Sequence, residues 1–196
     1  MAPLHMNRIS KICDNIALFS IYAIAFFLPV SKGAIESFSI LAIVAYLVKK
    51  FSALEDLPKS PLNLGIFAYL LVCVFSIFFS ANMGISSRTF FAKTLQDVAF
   101  FFVVFETLNE KKRIRNVLNV LFLSSLVLGI DGIYQNFTRQ DFLRHRPVIF
   151  TDRIYASFVT PNAFGCYLAM VIPFLIARFF SKLRLKASRF IYFALF

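Results

Sequence analysis

Apolar residues along this chain come in long unbroken stretches, not in the alternation that a half-exposed strand needs. A helix that crosses a bilayer takes about 20 mostly apolar residues. Runs of that kind extend from Ile12 to Val30, Ala34 to Val48, Leu64 to Ser80, Thr94 to Leu108, Val117 to Phe137 and Ala163 to Phe180. A seventh opens near Phe190 and breaks off at Phe196. The pattern predicts an all-α polytopic membrane protein, with six transmembrane helices plus the start of a seventh in a single transmembrane domain over residues 1–196. A barrel is excluded, because its strands would alternate. The first run follows Arg8 and Lys11 as a signal peptide would, yet no small-residue cleavage site follows Phe27-Leu28-Pro29. It is expected to remain as an uncleaved first helix.

The polar residues fill the gaps and set the orientation. With a cytoplasmic N-terminus, the inner segments carry Arg8 and Lys11, then Lys49, Lys50 and Lys59, then Lys111, Lys112, Arg113 and Arg115, and finally Arg178, Lys182, Arg184, Lys186 and Arg189. The outer segments carry only Lys32, Arg88, Lys93, Arg139, Arg144, Arg146 and Arg153. That two-to-one bias follows the positive-inside rule and predicts this topology. Composition agrees: 59% of residues are hydrophobic and 16% charged, with 27 Phe and no Trp. A soluble domain has about 25% charged residues. The net charge of +11 would suggest nucleic acid in a soluble protein, but its confinement to short gaps between apolar runs excludes that partner and points to the lipid bilayer. Cys13, Cys73 and Cys166 lie far apart inside apolar runs and read as small packing residues, not as a disulfide framework or metal site.

One outer loop breaks the charge rule. Residues 138–161 carry four Arg and no Lys, at a face where cations are disfavoured. A guanidinium grips phosphate or carboxylate with a planar fork, whereas an ammonium acts as a point charge. The loop therefore reads as a site for an anionic group such as a diphosphate, with Arg153 first and Arg144 and Arg146 second. The competing reading is that these residues anchor helix ends to lipid phosphates. His145, between Arg144 and Arg146, is the one histidine on the outer side and reads as a loop residue. Ionisable residues inside spans are functional candidates, because hydrocarbon penalises them. Glu36, Lys93, Asp97, Glu106 and Asp131 qualify. Lys93 and Asp97, four apart, are placed to neutralise one another. Glu106, near Lys111 and Lys112, reads as solvated at the inner end. Asp131, near Gln135 at the outer end of the fifth span, is placed either to orient an Arg of the loop or to bond backbone.

The segment Arg153-Ile-Tyr-Ala-Ser-Phe-Val-Thr-Pro-Asn162, running on through Gly165 and Leu168 to Pro173, resembles the O-antigen ligase and polymerase superfamily. That family shows an Arg, a small-small-Phe step, Pro-Asn, and then a helix with a small residue, a Leu and a Pro. Gly132-Ile-Tyr-Gln135 is similar to its Gly-x-x-Gln at the outer end of the preceding span. Where the family usually has Gly before Thr-Phe, this chain has Ala156 and Ser157. The resemblance implies the N-terminal half of a roughly twelve-helix transferase in the bacterial inner membrane. Such enzymes move a glycan from undecaprenyl diphosphate to lipid A core or another glycan acceptor at the periplasmic face, with neither metal nor nucleotide cofactor. It also implies that Arg side chains hold the diphosphate, and that the base lies in a later loop, so these residues alone are expected to be inactive. Asn162 reads as the cap of the sixth span or as a substrate contact, beside amides that favour an anion. An anion transporter is the rival class, although the spans show no convincing inverted repeat.

Overall fold

The computed structural model describes residues 4–53, 58, 60–143, 145, 147 and 153–194. Among them every regular element is a helix, and an antiparallel bridge between Gln140 and Pro147 is the nearest approach to a strand. The helices are α1 (Leu4–Phe27), α2 (Lys32–Ala53), α3 (Asn63–Phe78), α4 (Met83–Thr89), α5 (Leu95–Thr107), α6 (Lys111–Thr138) and α7 (Pro161–Ala194). A π-helical turn over Phe90–Thr94 joins α4 to α5, so a nearly continuous rod contains the fourth apolar run and extends well before it. The seventh run is not a separate helix. It continues α7, which passes through Pro173 without ending.

Among the described residues, two helices are long and apolar enough to cross a bilayer, Arg8–Phe27 within α1 and all of α6. At about 1.5 Å per residue, the 16 residues of α3 fall short of a hydrocarbon core about 30 Å thick. None of the α3 side chains is buried. Leu64, Phe67, Val72, Phe75 and Phe78 lie on its surface, as do many large apolar residues of the other helices. A coat of this kind suits hydrocarbon better than water.

The chain forms two compact units, residues 1–27 with 31–118, and residues 28–30 with 119–196. In the first, α1 and α2 run antiparallel and pack through Ala17, Ile21, Ala42 and Tyr46, while Val103 of α5 completes the core. Small residues at the seam let helix backbones approach closely, which drives helix association in apolar surroundings. Ser31 starts α2 by accepting the Ala34 N–H on its Oγ at 3.3 Å.

One end of this unit carries an ion network that the sequence order conceals. Lys49 Nζ meets Asp14 at 2.9 Å and Glu106 at 3.5 Å, Lys50 Nζ meets Glu106 at 2.9 Å, and Arg113 donates to the second Asp14 oxygen at 3.0 Å. Tyr46 donates its hydroxyl to Glu106 at 3.0 Å. Glu106 is therefore not simply solvated beside Lys111 and Lys112: the folding of α2 onto α5 supplies it with closer cations. Lys93 and Asp97 do not form the expected pair, and both remain exposed. A base placed four residues before an acid is the weaker orientation on a helix. Lys32 and Glu36 share that orientation and reach only 4.0 Å.

In the second unit, Leu128 of α6 packs with Ala156, Tyr167 and Val171, and Phe158, Phe164 and Leu168 close around them. Ser125 and Tyr167 hydroxyls bond at 2.7 Å, linking α6 to α7. Gly132 faces the Phe164 ring, and a Cβ there would make ordinary contact with Cζ at 3.4 Å.

Candidate functional site

The site grows from the last two turns of α6. Asp131 and Gln135 are four residues apart, so they project from one helix face. Each is 1% exposed. Both lie in the C-terminal part of α6. Polar side chains buried there need hydrogen-bond partners, and the loop back to α7 supplies them.

Asp131 accepts the Phe142 N–H on Oδ1 at 2.7 Å and the Ser157 hydroxyl on Oδ2 at 2.9 Å. Asp141 is equally buried, lies against Asp131, and accepts the Leu143 N–H at 2.8 Å. Gln135 Oε1 accepts two consecutive backbone N–H groups, Tyr155 at 2.9 Å and Ala156 at 2.8 Å. The Tyr155 hydroxyl reaches across the loop to the Pro147 carbonyl at 3.0 Å. Together these bonds pin both strands of the loop to α6. Asp131 orients backbone and a hydroxyl, and no Arg among the described residues bonds to it.

Arg153 stands two residues before this pinned turn. Its side chain is exposed and has no hydrogen bond or ion pair among the described residues. Arg88 and Lys93 are also exposed, but neither leads into a turn fixed by two buried side chains. His145 is exposed with φ 52°, and its backbone N–H donates to the Asp141 carbonyl at 2.9 Å, so it occupies a surface turn. Arg144 and Arg146 lie outside the described residues, as does Asp152.

Asn162 is not the cap of α7. That helix begins at Pro161, and Thr160 Oγ1 accepts the Ala163 N–H at 3.2 Å. Proline fits the first helical position because its missing N–H would be unpaired there, and that placement moves the cap to the residue before it. Asn162 sits exposed in the first turn of α7.

Ala156 has φ 46°, a left-handed backbone that non-glycine residues seldom adopt. It is almost fully buried and holds this conformation with its N–H bonded to Gln135. The roles of Asp141, Ser157 and Tyr155 were not read from the sequence. The four-residue spacing of Asp131 and Gln135 was the available signal that one helix face would receive a polar loop.

Chemically, the arrangement offers an exposed guanidinium two residues before a turn fixed by buried side chains. No family model, no curated protein and no solved structure matches this chain.

Proposed function

We propose that the second unit is the diphosphate-holding part of an O-antigen ligase-like glycosyltransferase, which moves a glycan from undecaprenyl diphosphate to lipid A core or another glycan acceptor. In this reading the apolar runs lie in the bacterial inner membrane, the ion network of Asp14, Lys49, Lys50, Glu106 and Arg113 lies at the cytoplasmic side, and Arg153 lies at the periplasmic face. The polymerase activity of the same superfamily fits the same site, since it differs in acceptor.

The observation that carries the proposal is an exposed Arg153 without a carboxylate partner, two residues before a turn that Gln135 and Asp131 hold. Lys49, Lys50 and Arg113 are each matched to a carboxylate within 3.0 Å. Arg153 is exposed with no such partner among the described residues, although Asp131 and Asp141 lie in the same unit. A cation left free at an interface is suited to an anion from outside the chain. Supporting it, the left-handed backbone at Ala156 occupies the place where the resembling family usually has Gly.

In glycan transfer the acceptor hydroxyl attacks the anomeric carbon, the bond from that carbon to the diphosphate oxygen breaks, and the electron pair leaves on the diphosphate. A fixed guanidinium near a low-dielectric boundary stabilises that growing charge. Each charge-assisted hydrogen bond contributes about 1.5–3 kcal/mol. Neither Asp131 nor Asp141 is assigned as the base that takes the hydroxyl proton, because both are buried and bonded to backbone N–H groups.

The test is glycan transfer in membranes that contain the full-length protein, undecaprenyl-diphosphate glycan and acceptor. Arg153→Lys keeps the charge and removes the fork, so transfer is expected to fall roughly tenfold or more at equal abundance. Arg113→Lys, in the other network, is expected to transfer at near wild-type rate. Normal transfer by Arg153→Lys would refute the proposal.

A further inference from the structure

We infer that Gln135 is the positioning residue for Arg153, acting through the backbone of Tyr155 and Ala156; this rests on the transferase reading above. Three observations converge on it. The Gln135 side chain is 1% exposed, and its Oε1 spans two consecutive N–H groups at 2.9 and 2.8 Å. Its Nε2 has no acceptor among the described residues, where the hydrogen bonding of this amide is spent on that one turn. The turn it holds contains Ala156 at φ 46°, a conformation an alanine leaves readily unless something fixes it.

Arg153 precedes that turn by two residues in the chain. Without the Gln135 acceptor, Ala156 is released toward an ordinary negative φ. A change of that size two to three residues away swings the Arg153 Cα and the direction of its guanidinium. The Asp131–Ser157 bond remains on the far side of Ala156. The loop therefore stays attached to α6 while the Arg153 end loosens, and Gln135 acts on the position of the cation more than on whether the loop is present.

The acceptor, rather than the amide as such, does the positioning. A carboxylate in its place would still accept both N–H groups, whereas a methionine of similar length would accept neither. Gln135→Met is expected to lower kcat/KM for the undecaprenyl-diphosphate glycan roughly tenfold, and Gln135→Glu to restore it to within about threefold of wild type. A merely structural residue would give no such recovery at equal abundance. If the methionine protein fails to accumulate, Gln135→Asn takes its place, since it withdraws the acceptor by one methylene.

The deciding measurement is a double-substitution cycle in membranes containing the full-length protein. If Gln135 works through Arg153, then in an Arg153→Lys background Gln135→Met adds less than about a twofold further loss. Independent, additive losses would overturn the inference while leaving the Arg153 proposal standing. Equal transfer by wild type and Arg153→Lys would instead remove the diphosphate grip itself, and this inference with it.

Discussion

Ala156 carries a left-handed backbone, φ 46°, among buried neighbours, where a glycine would meet no penalty. Its methyl packs with Leu128, Tyr167 and Val171, which offsets part of that penalty. Relief of the backbone strain is worth about 1–2 kcal/mol, and loss of a buried methyl costs about 0.8 kcal/mol. Glycine also frees the unfolded chain by about 0.4–1 kcal/mol, so Ala156→Gly is expected to change stability by less than about 1 kcal/mol, read as a thermal midpoint in detergent close to that of wild type. A clear fall in the midpoint would mean that the methyl contact dominates. Asp131 shows how far single residues were legible. Its polarity and depth in an apolar run marked it as unusual, and bonding to backbone was one of the two roles expected. Which donors it takes, Phe142 N–H and Ser157 Oγ, depends on how the loop folds back, and local pattern carries no record of that.

At the scale of elements, the apolar runs foretold helices well and their ends poorly. The fourth run proved to be the later part of a rod that starts at Met83 and includes a π turn, and the sixth and seventh runs fuse in α7. Hydropathy marks where a helix is apolar; hydrogen bonding continues through charged stretches such as Lys182 to Arg189, which α7 includes. The cap of α7 is a compact case. Pro-Asn suggested Asn162, but the proline takes the first helical position and Thr160 accepts the Ala163 N–H. Thr160→Ala is expected to destabilise by about 1 kcal/mol, and Asn162→Ala to leave stability within about 0.5 kcal/mol. Unfolding of the two variants in denaturant checks this; the reverse order would return the cap to Asn162. The ion network was illegible for a different reason. Asp14 and Lys49 are 35 residues apart and Asp14 and Arg113 are 99 apart, so their meeting follows from helix pairing, which the charge pattern along the chain does not specify.

Across the whole molecule, the basic residues named above meet different surroundings. In the first unit, cations from α2 and α6 meet carboxylates from α1 and α5 and are internally matched. In the second unit, Asp131 and Asp141 accept backbone and hydroxyl donors, and Arg153 has no hydrogen bond or ion pair among the described residues. Resemblance to the O-antigen ligase superfamily supplied a chemistry for that free cation, and the fold supplies it with a rigid footing built from Asp131, Gln135 and Ser157. The central claim is that Arg153 grips a lipid-linked diphosphate. The most direct measurement is the affinity of the full-length protein, in nanodiscs, for undecaprenyl diphosphate, compared between wild type, Arg153→Lys and Arg113→Lys. The account predicts roughly tenfold weaker binding for Arg153→Lys and wild-type binding for Arg113→Lys. Equal affinity in all three proteins would contradict it.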